Sequence, residues 1–309
     1  MNTRATAFAP ATVGNVAVGF DLLGFSVDFA GDKVSVERSD KKTVTVESSN
    51  KTIPVEPAKN TATAGLLRMM SDLHLTFGFR VSIEKGIPLG SGMGGSAASA
   101  VAAVVAANAL LDEPLSDLEL LSYALIGEAQ ASGGYHADNI TPSLLGGLTL
   151  ARVVNDWQVE VTSIPLPRGI FCVLVHPHLS IETKQARGIL KKDLSLKDHI
   201  AQSANLAGFI AGCFTNDLGL LRRSFSDVII EPQRSHLIPG FAEVKRAALA
   251  GGALGCSISG AGPSVFAWVE GEKKACEIQT AMTAAFRAKG VEADGWSSPL
   301  TKNKARVIS

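Results

Sequence analysis

Apolar and polar residues alternate with a period of two in three stretches of the N-terminal third. DKVSVERSDKKTVTVES, residues 32–48, holds two of these stretches around a charged turn at Ser39–Lys42, and FRVSIEKGIP, residues 79–88, holds the third. This period is typical of half-buried strands. The pattern therefore predicts a β-hairpin over residues 32–48 and a separate strand that leads into a glycine-rich turn.

Apolar residues at helical spacing predict three helices around that turn. The first covers NTATAGLLRMMSDL, residues 60–73, and the second runs from about Ser96 to Leu111. The third begins after Ser116, which forms a capping-box pattern with Glu119, and continues to about Gln130. The second helix is rich in alanine and valine on all sides, so we expect it to be buried, and it is too short to span a bilayer.

Strands and helices also interleave in the second half, but without a regular βαβ rhythm. We predict strands over residues 144–153, 170–177 and 256–270, and helices over 180–192, 198–214, 239–250 and 273–289. This order favours an α+β protein of two domains that meet near residue 155, covering residues 1–155 and 156–309.

Composition and charge exclude several classes of protein. Hydrophobic residues make up 46% and charged residues 19%, as in globular proteins, and 29 basic residues balance 29 acidic ones. The balance leaves no basic surplus for nucleic acid or an anionic membrane.

The N-terminus has no apolar segment of signal-peptide type, so we expect a cytoplasmic protein. Four widely spaced cysteines without a CxxC pair indicate reduced thiols rather than a zinc site or disulfides: Cys172, Cys213, Cys256 and Cys276.

The glycine-rich turn before the second helix is a candidate phosphate site. It satisfies G-x-G-x-x-G at Gly90, Gly92 and Gly95. The acidic residue that a dinucleotide fingerprint needs at the end of a second strand is missing, and Ser96 stands where a Walker A loop needs lysine. The physical argument remains, because glycines and a helix N-terminus present backbone N–H groups to an anion. The alternative is a tight turn that only packs a helix.

Three motifs in order resemble those of the GHMP small-molecule kinases. PLGSGMGGSAA, Pro88–Ala98, is similar to that family's P-x-x-x-G-L-G-S-S-A-A, with departures at Met93 and Gly95. APATVGNVAVGFDLLG, residues 9–24, and SISGAGPSVFA, residues 257–267, resemble the first and third motifs. Together they span nearly the whole chain.

The resemblance implies a fold, a nucleotide and a metal. The fold would be an N-terminal domain like ribosomal protein S5 domain 2, followed by a ferredoxin-like α/β plait, with the third motif packed on the phosphate loop. The chain would be an ATP-dependent transferase that uses Mg²⁺ held by Ser96 and Glu128. The residues implied to bind ATP are Asn60, Pro88, Leu89, Gly90, Ser91, Gly92, Met93, Gly94, Gly95, Ser96, Ala97 and Ala98.

Polar residues outside the turn bear on the phosphate acceptor. A zwitterionic amino alcohol needs guanidinium donors for its carboxylate, which Arg187 and Arg234 could provide. Its ammonium needs acceptors such as Asn15 and Asp21, and its hydroxyl needs an acceptor such as Asp138. The alternative is that these residues have no role in binding: Asp21 would only form a turn, and Arg187 and Arg234 would lie on the surface.

The segment GYHADN, residues 134–139, and the two arginines resemble the homoserine-phosphorylating members of the family. This implies a role in threonine biosynthesis, and it leaves a homodimer open. Asn139 aligns with the catalytic aspartate of several related kinases, but an amide cannot take a proton. The base is therefore Asp138, or else the proton passes to phosphate or solvent. The residues implied to bind homoserine are Asn15, Asp21, His136, Asp138, Thr183, Arg187 and Arg234.

Two other functions stay open at this point. A family member acting on another small alcohol, such as an isoprenoid precursor, would not need the two arginines. A non-catalytic metabolite-binding regulator on the same scaffold is disfavoured because Ser96, Glu128 and Asp138 are all present.

Overall fold

The computed structural model describes residues 3–48, 50, 52–155 and 158–309. Within this part of the chain no helix is long and apolar enough to cross a membrane. The strands are β1 Arg4–Gly14, β2 Leu23–Ser39, β3 Val44–Ser48, β4 Gly78–Glu84, β5 Leu148–Asn155, β6 Gln158–Ile164, β7 Ile170–Pro177, β8 Gly255–Ile258, β9 Val265–Glu270, β10 Ala293–Pro299 and β11 Arg306–Val307. The helices are α1 Thr61–Asp72, α2 Gly95–Asn108, α3 Asp117–Ser132, α4 Ile140–Leu145, α5 Thr183–Gly188, α6 Leu196–Thr215, α7 Leu218–Ser224, α8 Glu231–Arg234, α9 Phe241–Ala250 and α10 Glu272–Arg287.

The long strand β2 is the centre of a seven-stranded mixed sheet in the N-terminal part. The order runs β11-β1-β2-β4-β3, and the first residues of β2 pair instead with β5, which continues to β6. Alternate residues of β2, such as Val34 and Val36, are fully buried. This is the pattern of a strand with one face toward a core.

The predicted hairpin over residues 32–48 is wrong. β4 lies between β2 and β3, so β3 pairs with β4 in parallel, with Val46 opposite Val81. Alternation identifies strands but not their partners. Here β4 pairs with Lys33–Ser39 of β2, a longer ladder than the short β3 could form, and α1 supplies the crossover that a parallel pair requires.

Three helices cover one face of this sheet, with α2 at the centre. Nearly every side chain from Ala97 to Ala107 is buried, so the expectation of a buried helix is confirmed. α1 and α3 approach closely because glycines stand at their contact. A Cβ at Gly65 would lie 2.3 Å from Tyr123 O, and one at Gly127 would lie 2.2 Å from Thr61 O. This contact brings the end of α3 next to the start of α1.

The C-terminal part contains an antiparallel sheet in the order β10-β7-β9-β8, with α9 and α10 packed on it. The sequence of elements is that of the ferredoxin-like plait. The single strand predicted over residues 256–270 is two strands, because the turn between Ser259 and Ser264 reverses the chain. The last residues, which showed no pattern, add β11 to the edge of the first sheet, with Val307 opposite Ala7.

One predicted helix is longer than the observed one, and the predicted domain boundary stays a prediction. The helix predicted over residues 180–192 is only the short α5, which ends at Gly188. Residue 156, where the predicted second domain begins, lies outside the described residues. The strands on either side of it, β5 and β6, pair in one hairpin of the first sheet. We therefore propose that the two units meet between Ile164 and Ile170, where the chain changes sheets.

Aromatic side chains join the two sheets into one core. The Phe25 ring on β2 lies 5.8 Å from Phe266 and 5.5 Å from Trp268, both on β9. Phe209 of α6 lies 5.2 Å from Trp268 on its other flank. The loops that project from both sheets are therefore held in a fixed relation by a shared apolar layer.

Candidate active site

A cavity of about 510 Å³ opens between the glycine-rich turn and loops of both sheets. Three residues of the predicted ATP set do not reach its surface. Met93, Ala97 and Ala98 are fully buried in the core, so they act only through backbone or packing. The predicted residues that do line the cavity are Asn15, Asp21, Asn60, Pro88, Leu89, Gly90, Ser91, Gly92, Gly94, Gly95, Ser96, Glu128, His136, Asp138, Asn139, Thr183, Arg187 and Arg234.

The turn before α2 has no room for side chains at its glycines. Gly90, Gly92 and Gly94 have φ values of 62°, 76° and 68°, in the left-handed region. A Cβ at Gly92 would lie 2.5 Å from Ser259 O. Gly94 is the N-cap of α2 and supplies no side-chain cap, so the first N–H groups of the helix are left to other partners. Such groups, reinforced by the helix dipole, are suited to bind phosphate.

The third motif packs on this turn, as the resemblance implies. Ser259 Oγ donates to Gly92 O at 2.7 Å, and Ser264 N donates to Ser91 O at 3.2 Å. The Ser91 hydroxyl is buried beside the cavity and has no hydrogen-bond partner among the described residues. A buried hydroxyl without a partner is uncommon, and it is available to a ligand oxygen.

A buried ion pair that the sequence analysis missed, between Asp32 and Lys85, holds the end of the glycine turn. Asp32, fully buried, accepts from Lys85 Nζ, from Ser99 Oγ at 2.7 Å, and from the N–H groups of the two residues after Lys85, each at 3.1 Å. Lys85 Nζ also donates to Gly95 O at 2.7 Å. A Cβ at Gly95 would lie 3.2 Å from Ile87 Cγ2 and 3.3 Å from that Nζ, so the serine of the family pattern would fit tightly here. The sequence contains no signal for this pair, because a single aspartate in a strand and a single lysine just after a strand are ordinary.

Between β1 and β2 the chain forms a left-handed loop, residues 15–22. Asn15, Val16 and Ala17 have φ values of 69°, 44° and 59°, and Asp21 has 61°. Consecutive non-glycine residues in this region are strained and need support from their surroundings. The Asn15 amide supplies part of it, since its Oδ1 accepts from Asp21 N at 3.0 Å and its Nδ2 donates to Gly260 O at 2.8 Å. A contact between Asn15 and a substrate stays a prediction.

Arg187 and Asp21, expected to bind opposite charges of a ligand, form a bidentate pair with each other. Arg187 Nη1 and Nη2 donate to the two Asp21 oxygens at 2.9 and 2.7 Å. His136 Nδ1 lies 3.6 Å from Asp21 Oδ1 and 3.5 Å from Arg187 Nη2. Burial lowers the pKa of His136, and the Asp21 charge opposes this. In the part of the chain that the structure describes, no group accepts from the buried Arg187 Nε, so the guanidinium keeps this N–H as a donor for a ligand.

Arg234 is not a surface residue, because only 2% of it is exposed. Its Nε donates to Ala186 O at 3.0 Å and its Nη1 donates to Gly260 O at 3.3 Å. Burial, together with the charge of Arg187, lowers the pKa of Arg234 to about 10. Both guanidinium groups lie against the Phe20 ring, at 5.2 Å for Arg187 and 5.1 Å for Arg234. A cation–π contact of this kind stabilises closely placed positive charges.

Asp138 and Asn139 lie at the start of α4, between the left-handed loop and the glycine turn. Burial, together with the charge of Asp21, raises the pKa of Asp138 to about 7, although the charge of Arg187 opposes this. Asn139 Oδ1 accepts from Thr12 Oγ1 at 2.8 Å. A Cβ at Gly14 would lie 2.4 Å from Asp138 Oδ2, so the glycine of the first motif makes room for this carboxyl. A carboxyl poised near neutrality is suited to exchange a proton.

Ser96 and Glu128 provide the oxygen donors that Mg²⁺ prefers. Ser96 is in the first turn of α2, Glu128 is on α3 with 8% of its surface exposed, and both line the cavity. Mg²⁺ is commonly bound through one or two protein oxygens together with substrate phosphates. This donor set fits such an ion. Among the described residues no cluster of three or more His, Cys, Asp or Glu forms a metal site.

The two remaining predicted residues occupy helix starts. Asn60 caps α1 through Ala62 N at 2.9 Å, and its Nδ2 donates to Pro54 O at 2.6 Å, so the amide shapes one rim of the cavity. Thr183 is the first residue of α5, the helix that carries Arg187. Both line the cavity, and their contacts with ligands stay predictions.

This fold and this site define a small-molecule kinase. The model of the GHMP kinases N terminal domain matches residues 60–147, and that of the GHMP kinases C terminal matches residues 209–288. The chain belongs to the GHMP kinase family.

Relatives that match over nearly the whole chain are homoserine kinases. A homoserine kinase of Xylella fastidiosa (strain M12) is 49% identical over 308 residues, which cover 99% of this chain and 94% of that protein. A homoserine kinase of Chlorobium phaeovibrioides (strain DSM 265 / 1930) is 43% identical over 316 residues, covering 97% and 98%. The crystal structure of homoserine kinase from Cytophaga hutchinsonii ATCC 33406 has a TM-score of 0.95 at 43% identity, covering 100% of this chain and 98% of that one.

Proposed function

We propose that this chain is a homoserine kinase, which transfers the γ-phosphoryl group of ATP to the hydroxyl of L-homoserine in threonine biosynthesis. The observation that carries the proposal is the grouping of Asp21, Arg187, Arg234 and Asp138 in the same cavity as the glycine turn. An amino acid with a side-chain hydroxyl matches two guanidinium groups, one carboxylate and one proton acceptor. The full-length relatives named homoserine kinase support the same substrate.

The nucleotide is proposed to lie along the glycine turn. The N–H groups at the start of α2 and the Ser91 hydroxyl would donate to its phosphates. Ser96 and Glu128 would hold Mg²⁺, which supplies charge neutralisation at the phosphoryl oxygens when bound. The Asp32–Lys85 pair keeps the turn in place, and Lys85 is already balanced by Asp32.

The acceptor is proposed to bind on the other side of the cavity. Arg187 and Arg234 would bind the carboxylate, Arg187 through its Nε and through N–H groups that now donate to Asp21, and Asp21 would bind the ammonium. Asp138 would orient the hydroxyl and take its proton as the new P–O bond forms, with Asn139 beside it. Phosphoryl transfer depends mainly on such positioning and on stabilisation of charge.

The proposal is tested by ADP release in a coupled assay with homoserine, mevalonate and galactose as acceptors. We expect turnover with homoserine and at least tenfold lower kcat/KM with the other two, because neither carries an ammonium for Asp21. The variant Arg187→Ala should raise KM for homoserine while KM for ATP stays nearly unchanged. Preferred turnover of mevalonate would assign the chain to isoprenoid chemistry, and ATP binding without turnover of any acceptor would favour a regulator.

A further inference from the structure

We infer that Gln202, on the long helix α6, is a positioning residue that holds the left-handed loop in register with the segment carrying Arg234. The inference rests on the proposed function for its kinetic consequence, but its structural basis is independent of it. No motif or charge pattern points to this residue, which lies in the run HIAQSANLAG.

Gln202 spans the two segments with a single amide. Its Nε2 donates to Val18 O at 3.0 Å, and its Oε1 accepts from Val228 N at 3.0 Å. The orientation of the amide is fixed by these partners, since a carbonyl can only accept and a backbone N–H can only donate. Both the nitrogen and the oxygen of the amide therefore form hydrogen bonds, one to each segment.

One end of this bridge reaches the middle of the left-handed loop. Val18 is buried and lies between Asn15–Ala17, with their positive φ values, and Asp21, which binds Arg187. A strained backbone persists only where its surroundings over-determine it. The hydrogen bond from Gln202 joins this loop to α6, a helix outside the phosphate-binding region.

The other end reaches the segment that leads to Arg234. Val228 follows Asp227, whose carboxylate accepts from the N–H groups of Ile229, Ile230 and Glu231 at 2.9, 2.9 and 2.8 Å. These bonds organise the start of α8, the helix that ends at Arg234. A shift of Val228 therefore moves a segment that is stiffly joined to this guanidinium.

The bridge thus sets the spacing between Asp21, which is on one segment, and Arg234, which is on the other. A binding site for a small zwitterion depends on that spacing, because displacements of about 1 Å can cost on the order of 10²-fold in rate. The glycine turn and α2 have no bond to Gln202, so the nucleotide side should not respond.

Two substitutions and one matched control test the inference. Gln202→Glu keeps an acceptor for Val228 but loses the donor to Val18, and Gln202→Met keeps the length of the side chain but loses both bonds. Asn205→Ala is the control, because Asn205 is on the same helix and its Nδ2 donates to Ser226 O at 2.7 Å without reaching the left-handed loop. Thermal melts establish that each variant is folded.

The first measurement is amide hydrogen exchange of the peptide covering residues 15–23, followed by mass spectrometry. We expect this peptide to exchange at least tenfold faster in both Gln202 variants and at the parent rate in Asn205→Ala. An unchanged exchange rate in both Gln202 variants would overturn the inference. This readout requires no substrate, so it decides the role of Gln202 even if the parent protein does not phosphorylate homoserine and the proposed function fails.

The second measurement is the steady-state KM for each substrate. We expect Gln202→Glu and Gln202→Met to raise KM for homoserine by about 10- to 100-fold while KM for ATP stays within about twofold of the parent. The control should resemble the parent for both substrates. Equal increases in both KM values would indicate a general structural defect and would contradict the positioning role.

Discussion

Asp138 and Arg234 are both charged residues that the fold removes almost completely from water. Burial raises the pKa of one to about 7 and lowers the pKa of the other to about 10. Neither change follows from residue type, since an exposed aspartate and an exposed arginine titrate far from these values. At the scale of the residue, the chemistry of this site is set by burial first and by neighbouring charges second.

The first prediction concerns proton transfer by Asp138. In Asp138→Asn we expect kcat for homoserine to fall by about 10²- to 10⁴-fold with a modest change in KM. In the parent, kcat/KM should rise as the pH increases through about 7 and then level, because the ionised carboxylate is the competent form. Steady-state kinetics between pH 5 and pH 9 would check both. A variant that kept kcat and raised only KM would make Asp138 a binding residue.

A stability measurement on the same variant provides the control. The pKa of Asp138 is higher in the fold than in the unfolded chain, so the folded state binds more protons between the two values. The contribution of Asp138 to stability therefore falls as the pH rises toward about 7. The melting temperature of Asp138→Asn relative to the parent should increase from pH 5 to pH 8.

Most of the residues predicted from the sequence to bind ligands line the cavity, but the residues that hold them in place were not predicted. Asp21 and Asp138 stand in segments that resemble the family's motifs, and Arg187 was predicted because a substrate carboxylate needs a guanidinium donor. Phe20 and Gln202 carry no such signal, because a phenylalanine near glycines and a glutamine on a helix are ordinary. Their roles depend on which distant segments meet, and only the fold supplies that information.

At the scale of the element, the glycine turn and α2 are held by the buried pair of Asp32 and Lys85. The pair links β2, the end of β4 and the first turn of α2. The pair also has an electrostatic effect. Asp32 neutralises the charge of Lys85, so the positive potential at this edge of the cavity comes from the N–H groups at the start of α2. This arrangement supports a phosphate site without the lysine of a Walker A loop.

The second prediction tests this pair. In Asp32→Asn we expect the free energy of unfolding to fall by about 3–5 kcal/mol, because a buried ammonium loses its counter-charge. The double variant Asp32→Asn/Lys85→Met should lose less than the sum of the two single variants, since no unpaired charge remains. Ser99→Ala, which removes a neutral partner, should cost about 1 kcal/mol. Urea unfolding measures all four, and strict additivity of the double variant would show that the two residues are not coupled.

Elements were easier to predict than their pairing. The capping box of Ser116 and Glu119 is present at the start of α3, and the buried helix α2 is where composition placed it. The hairpin over residues 32–48 failed because alternation in β2 and β3 is equally compatible with a third strand between them. Pairing is decided by contacts distant in sequence, such as those of β4 with β2.

At the scale of the whole molecule, the two sheets act as one body because their aromatic residues share a core. Trp268 is fully buried and touches Phe25 of the first sheet and Phe209 of α6. The predicted boundary near residue 155 placed the junction in a strand pair, whereas the sheets change over after Ile164. A change of sheet leaves no trace in local periodicity.

The third prediction follows from this shared core. Trp268→Ala should lower the free energy of unfolding by about 3–5 kcal/mol, as is typical for loss of a large buried aromatic. Trp268→Phe should cost less, because it keeps a ring and removes an indole N–H for which the described residues provide no acceptor. In all three proteins, far-UV circular dichroism and fluorescence should report one coincident urea transition. Two separate transitions would show that the sheets unfold independently.

The bidentate bond between Arg187 and Asp21 has a consequence for how the acceptor enters. The protein already carries, as two tethered side chains, the positive and negative charges of an amino acid. Homoserine is itself neutral overall, so in the binding mode proposed above its arrival would exchange one internal pair for two external ones and leave the charge of the pocket unchanged. A molecule with only one of the two charges would separate the pair without compensating both members. Selectivity at this end of the cavity is thus a matter of partner exchange rather than of electrostatic attraction.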